Sequence, residues 1–398
     1  MLRFVLALWH VAGILLLAVL LTEFGVDGYR RVSRWTRYRR PTRPDRNAAA
    51  DAYGGAGWSA AYFDEFHRAV RVDWKPYVEW WQRPFHGAYV TIDQRGLRPT
   101  PGERDAGADA VRILCFGGST MMGMGARDEN TIPAVLAQRL TELGHHVAVT
   151  NFGQLGHNST QEVITLQQLL KGGERVDLAV FYDGINEMAC AEQTGHADGL
   201  FNEARRRAEF NLLLPDRRGD LILAALMAAA PRSLRRLRQF TRLPLRGPAP
   251  APPVDLARLD LSDLARDVIT TYRQNLRLVR LLAGEFGFTP LFFWQPAITT
   301  KLVKTADELR WENDYTDNPA ARRRLYQSII DERRRCGALD GADTVDLSAL
   351  FDAWTDPVYI DLYHLAEAGN AAVAEAMLPA LTEALVAIER RQLEQQQG

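Results

Sequence analysis

Apolar residues recur along this chain in two rhythms. Short, largely apolar runs of strand length occupy Val111 to Phe116, Val147 to Phe152, Leu178 to Tyr182, Thr289 to Trp294 and Thr344 to Leu347. Between them lie helical patterns: Ile132 to Leu143 after Asn130, Gln161 to Leu170 after Ser159, and Leu264 to Phe286. Asn130 and Ser159 have the short polar side chains that cap helix N-termini. Apolar strands alternating with helices predict an α/β domain with a parallel sheet covered on both faces. Ligands in such sheets bind beyond the C-terminal strand ends, which draws attention to the residues after Phe116, Phe152 and Tyr182.

Two stretches break the alternation. From Phe4 to Thr22 there is no formal charge, and only His10 and Thr22 are polar. That length suits the ~20 residues needed to cross a bilayer. No small-x-small cleavage site follows, so a retained single-pass anchor over residues 1–24 is expected rather than a removed signal peptide. The second break, at about 194–260, holds apolar Leu221 to Ala230, basic Arg232 to Arg242 and Pro-rich Pro244 to Pro253. It reads as a helical insertion between the third and fourth strands, either over the site or simply on the surface. Residues 25–75 read as a basic juxtamembrane linker, 76–390 as the catalytic-type domain and 391–398 as a polar tail.

Composition narrows the options further. With 398 residues, 47% hydrophobic and 24% charged, the chain can bury a sizeable core. A net charge of −1 gives no overall attraction to nucleic acid. Cys115, Cys190 and Cys336 are too scattered for a disulfide framework or a zinc site, and Cys115 reads as a buried core thiol. No metal-ligand spacing or phosphate loop is present, so no cofactor and no metal are expected. Orientation in the membrane is ambiguous. Arg3 precedes the apolar run, whereas Arg30, Arg31, Arg34, Arg37, Arg39, Arg40, Arg43 and Arg46 follow it, which by itself favours a cytoplasmic domain.

Candidate chemistry sits in two segments. Leu114-Cys115-Phe116-Gly117-Gly118-Ser119-Thr120 is an apolar strand running into a small-residue turn with one serine. Asp361-Leu362-Tyr363-His364 puts a carboxylate and an imidazole three residues apart near the far end. A serine needs a base to become a nucleophile at neutral pH, and the base needs an orienting group. Ser119, His364 and Asp361 supply all three. On its own terms Ser119 is also compatible with a turn serine, and Asp361 with an N-cap for a helix over Leu365 to Leu381. His145, His146 and His157 read as surface or core histidines.

The chain also resembles the SGNH (GDSL-like) hydrolases over roughly Val111 to Leu381. Gly117-Gly118-Ser119-Thr120 is similar to the nucleophile block of that family, and Asn151-Phe152-Gly153-Gln154-Leu155-Gly156 to the second block. Asp183-Gly184-Ile185-Asn186-Glu187 resembles the Gly-x-Asn-Asp block, and Asp361-Leu362-Tyr363-His364 the final Asp-x-x-His. Two departures stand out: Gly118 and Glu187 occupy positions where the family usually has aspartate. Asp93-Gln94-Arg95-Gly96-Leu97-Arg98 is similar to the lead-in of membrane-anchored bacterial members with Gly-Gly-Ser-Thr. The resemblance implies a flavodoxin-like three-layer α/β/α fold with a mostly parallel five-stranded sheet. It implies a serine ester hydrolase acting on small O-acyl groups of a carbohydrate, envelope glycan or lipid, or transferring them. The implied oxyanion donors are the Ser119 N–H, the Gly156 N–H and the Asn186 side-chain amide. Membrane-anchored relatives act outside the inner membrane, so an extracytoplasmic domain is expected here against the arginine bias. A non-catalytic glycan-binding or assembly role is the competing class.

Overall fold

The computed structural model describes residues 45–212, 254–314, 318–337 and 341–397, together with Trp9, His10, Gly13 and Ile14. These fall into two compact units. The smaller takes in Met1–Pro44 and Ala204–Pro252; its described residues, the four near the N-terminus and 204–212, are helical. Most of the expected membrane anchor and most of the expected insertion lie outside the described residues.

The larger unit, Asp45–Glu203 with Pro253–Gly398, contains the sheet. In chain order its first elements are α1 (Ser59–Ala69), β1 (Val72–Lys75), β2 (Glu79–Gln82), β3 (Phe85–His86), β4 (Thr91–Ile92), β5 (Val111–Gly117) and the single-turn α2 (Ser119–Met122). Then come α3 (Ile132–Glu142), β6 (Val147–Asn151), α4 (Ser159–Lys171), β7 (Leu178–Asp183) and α5 (Ile185–Thr194); α6 (Glu203–Leu212) belongs, from Ala204 on, to the smaller unit. The last are α7 (Leu261–Phe286), β8 (Thr289–Trp294), α8 (Ala306–Asp314), α9 (Pro319–Gly337), β9 (Thr344–Asp346) and α10 (Glu367–Gln397).

Five strands form one parallel sheet in the order β6-β5-β7-β8-β9, the flavodoxin-like arrangement. Every residue of β6 and β7 is buried, as expected of strands covered on both faces. Alternate residues feed two cores. Ile113, Cys115, Val180, Tyr182 and Phe293 face α3 and α10, while Leu114, Phe116, Phe181, Phe292 and Trp294 face α4, α7 and α9. On the second face Phe152, Phe116, Phe181 and Phe292 stack across the strands with ring centroids 5.4, 4.9 and 5.3 Å apart. Such pairs are worth about 0.5–1.5 kcal/mol each beyond their burial. All three cysteines are free and buried.

Several boundaries differ from the sequence reading. The linker expected over 25–75 ends too late: the compact unit begins at Asp45, and Tyr53, Tyr62, Phe63 and Phe66 are core residues. Rings at spacing 62, 63, 66 make one apolar face on α1, and that face is what draws the segment into the fold. Antiparallel pairs β1–β2 and β3–β4, not anticipated, follow it. The caps also shift by one residue. Thr131, not Asn130, accepts from Ala134 N to start α3. Asn158, not Ser159, starts α4, because Gln161 at the third helical position completes a reciprocal capping box with it. The tail expected at 391–398 is helical to Gln397.

Among the described residues one helix, α10, is long and apolar enough to cross a membrane. Its Val373, Ala374, Met377, Leu381, Leu385 and Ile388 are nonetheless built into the sheet's core.

Candidate active site

Each candidate residue follows the C-terminal end of a strand or arrives on a loop that meets it. Ser119 opens α2 directly after β5. The chain leaves β6 through Asn151, whose Nδ2 donates to Met121 O at 3.1 Å and whose Oδ1 accepts from Gly153 N at 2.9 Å. Backbone bonds from Phe152 N to Cys115 O (2.8 Å) and from Gln154 N to Gly117 O (3.0 Å) hold the loop against the nucleophile strand. Asn186 lies in the first turn of α5, just beyond β7.

The last loop is tied down from inside the protein. Lys301 and Glu308 form an ion pair at 2.7 Å whose side chains are 0% exposed. Lys301 Nζ also donates to Asp356 O at 2.6 Å, and Glu308 Oε1 accepts from Val358 N at 3.1 Å. Ile360 N donates to His364 O at 3.0 Å, closing the turn that presents Asp361 and His364. Separating a buried ion pair costs about 3–5 kcal/mol, so this loop has little freedom.

Three side chains then line up. The Ser119 hydroxyl lies 2.7 Å from His364 Nε2, and His364 Nδ1 lies 2.7 and 2.9 Å from the two Asp361 oxygens. Asp361 Oδ1 also accepts from Tyr363 N and His364 N, both at 2.8 Å, and Oδ2 accepts from Asn47 Nδ2 at 3.1 Å. Burial alone would raise the Asp361 carboxyl; the neighbouring His364 charge and these hydrogen bonds outweigh it and hold the group below the usual carboxylate range. Asp361 caps this local turn and not α10, which starts only at Glu367.

Of the implied oxyanion donors, the Asn186 amide lies against the nucleophile turn. Asn186 Nδ2 donates to His157 O at 2.5 Å. A Cβ added at Gly118 would run into that same Asn186 nitrogen and come within 3.2 Å of His157 O. Gly118 is therefore the residue that lets the Asn186 amide reach the nucleophile turn. Gly156 has φ +70°, and a Cβ there would press on Phe201 at 3.2 Å. Neither the Ser119 nor the Gly156 backbone N–H donates to another group among the described residues.

Glu187, the other departure, is used for reach. Its Oε1 accepts from Ser159 N at 2.7 Å and its Oε2 from Gly184 N at 2.8 Å, tying the loops after β6 and β7 together. Behind it, Glu162 and Asp183 are buried, with orphan carboxyl oxygens that find no donor among the described residues except each other's proton. Burial first, and then mutual repulsion with Glu187, push both well above the ordinary carboxylate range.

Sequence reasoning missed several supports. Arg98 is buried and donates to Gly123 O (2.7 Å), Ala126 O (2.9 Å) and Asp128 Oδ1 (2.7 Å), bracing the loop after α2. The lead-in resemblance pointed at Arg98 without giving it a task. Asn47, Lys301 and Glu308 carried no motif at all. His157 is a core residue, as read, with Nε2 3.1 Å from Trp80 O. His145 and His146 pair with Glu389 and Asp109. Among the described residues no group of His, Cys, Asp or Glu is arranged to hold a metal ion.

No protein-family model and no curated protein sequence matches the chain. Solved structures do. An acetyl xylan esterase, AlAXEase, is 14% identical, covering 68% of this chain and 99% of that one, with a TM-score of 0.34. A member of the lipolytic protein G-D-S-L family from Veillonella parvula is 11% identical, covering 69% and 99%, with a TM-score of 0.36. A lipase/acylhydrolase from Enterococcus faecalis is 14% identical, covering 67% and 95%, with a TM-score of 0.34. Likeness at this level transfers neither activity nor substrate.

Proposed function

We propose that this chain is a serine ester hydrolase of the SGNH (GDSL-like) type that works through an acyl-enzyme on Ser119. One observation carries the reading: Ser119, His364 and Asp361 form a continuous hydrogen-bonded chain at the C-terminal edge of a parallel sheet. In that arrangement His364 Nε2 takes the Ser119 proton as Oγ bonds to the ester carbonyl carbon, while Asp361 holds Nδ1–H and stabilises the imidazolium. The carbonyl electron pair moves onto the oxygen. When it returns, the bond to the leaving alkoxide breaks and His364 passes the proton to it. Water then attacks the acyl-enzyme by the same path and frees the acid.

The negative oxygen needs donors fixed in advance. Ser119 N–H and Gly156 N–H are two. Asn186 suits as the third because a side-chain amide carries two N–H groups: the His157 carbonyl takes one and fixes the amide, leaving the other for the oxyanion. None of these steps calls for a cofactor.

The substrate class follows the resemblance of the four sequence blocks: small O-acyl groups, such as acetyl on a carbohydrate or envelope glycan, with lipid acyl esters as the alternative. The apolar Phe4 to Thr22 run favours a protein held at the inner membrane by one span, and the resemblance to membrane-anchored members implies a catalytic domain on the extracytoplasmic side, against the bias of the arginines that follow the run. Turnover of activated esters of rising acyl-chain length, with and without a carbohydrate acceptor, tests this. Short chains are expected to turn over fastest. Ser119→Ala and His364→Ala should abolish turnover with melting behaviour nearly unchanged. Near wild-type turnover in Ser119→Ala would sink the reading, and acyl product appearing on the carbohydrate would make the enzyme a transferase.

A further inference from the structure

The Asp361 side chain is held from two directions. Its own turn supplies Tyr363 N and His364 N, both to Oδ1. The other oxygen, Oδ2, is the one nearer His364 Nδ1, at 2.7 Å, and the further donor to it among the described residues is Asn47 Nδ2 at 3.1 Å. That donor comes from the opposite end of the chain, 314 residues away.

Asn47 is not a loose surface side chain. Its backbone N–H donates to Asp45 Oδ1 at 2.7 Å, and Ser59 Oγ donates to Ala48 O at 2.7 Å, closing the short 3-10 turn Asn47–Ala49 onto α1. Ala48 and Ala50, which follow Asn47, are buried. The same segment also holds the nucleophile's side of the site. Tyr53 Oη donates to Gly125 O at 2.7 Å, and Gly125 N donates to Tyr62 Oη at 2.8 Å, fixing the loop that leaves α2.

We infer that Asn47 is a positioning residue for the acid–base pair: its amide fixes Asp361 Oδ2, so that the turn after the arginine-rich segment completes the active site. This rests on the proposed serine hydrolase reading. A carboxylate bonded on both oxygens cannot turn about its Cβ–Cγ bond, and its plane sets the imidazole's plane. The amide also draws negative charge from the oxygen that faces Nδ1. Without it that oxygen is a stronger acceptor, and the imidazole binds its proton more tightly. The titratable groups around Asp361 are His364 and Tyr363 on its own loop and Tyr53 on the arriving segment, with Asp45 and Glu367 further out around Tyr53.

The test is kcat and KM against pH for full-length wild type, Asn47→Ala, Asn47→Asp and Ser119→Ala. Active sites are counted by a phosphonate probe of the serine, so that a partly misfolded variant is still read per active site. Asn47→Ala should lower kcat about tenfold at unchanged KM, the scale of one hydrogen bond to a charged group, and move the acidic limb up by roughly half a pH unit, because the imidazole feels only part of that change. Asn47→Asp, which sets a second carboxylate against Asp361, should lower kcat further and move the limb further up. If both variants keep the wild-type limb, even with activity and Tm falling together, Asn47 only packs the turn and the inference is overturned. If Ser119→Ala turns over like wild type, the hydrolase reading itself has failed, and the inference with it.

Discussion

At the scale of single residues, the site depends as much on an absent side chain as on those present. Gly118 leaves the space that the Asn186 amide fills. Gly118→Ala is therefore expected to displace that amide and to lower kcat about as much as Asn186→Ala, by roughly 10² to 10³, since on the proposed mechanism either change removes one oxyanion donor. KM should move little in both, because the donor binds charge that develops only during reaction. Steady-state kinetics of the two single variants and the double variant check this: if the losses multiply, the two residues do not act through one contact. Ser119, His364 and Asp361, which hydrogen bonds join in the fold, were legible in the sequence as a nucleophile, a base and an orienting carboxylate, whereas Gly156 and Asn186 were named only through the resemblance of their blocks. Asn47 was not legible. Its single contact with Asp361 spans almost the whole chain, and an asparagine before three alanines carries no local pattern. Lys301 and Glu308 read as ordinary charges; only the folded chain buries them together.

At the scale of elements, β5, β6, β7 and β8 were legible because an apolar run buried on both faces is the strongest signal a parallel sheet leaves, whereas the short edge strand β9 has no fully buried residue. The caps were less so. Asn158-Ser159-Thr160 offers three consecutive cap-forming side chains, and the choice among them is made by Gln161 reaching back. The connection between α4 and β7 has a consequence for pH. Glu162 on α4 and Asp183 at the end of β7 keep a proton in the fold that they would lose when unfolded. Groups raised in this way contribute stability that is fully present below the unfolded carboxyl value, near 4, and is lost as pH rises toward the folded value. The slope is about 1.4 kcal/mol per pH unit for each retained proton. Asp361, Asp93 and Glu367 are shifted the other way, so their contribution is lost only under more acid conditions. Glu162→Gln should remove about half of the decline above about pH 5, because burial and Glu187 still hold Asp183 up. Denaturant midpoints measured between pH 5 and 8 would show it, and an unchanged slope would mean that the pair does not hold the proton.

At the scale of the whole molecule, the fold begins earlier than its motifs suggest. The four blocks start at Gly117, but Tyr62, Phe63 and Phe66 on α1 are core residues, and Tyr53 and Asn47 reach the site itself. Burying one such ring is worth about 1.5–3 kcal/mol. Three together are comparable to the 5–15 kcal/mol stability of a typical domain. A chain started at Asp45 should therefore be soluble and melt cooperatively, whereas one started at Pro76 should aggregate or melt far lower. Equal soluble yield and equal Tm for the two would show that the segment is dispensable.

The buried cysteines bear on how this protein meets its surroundings. Cys115 lies in β5, paired on both sides by β6 and β7, and burial pushes its thiol up to about 12, so the reactive thiolate is almost absent while the strand is paired. An alkylating reagent can capture it only during openings of the sheet, and the labelling rate then becomes a clock for those openings. The same property gives folding a deadline in an oxidising compartment. An unfolded chain presents three thiols for random pairing, whereas the folded chain keeps all three buried.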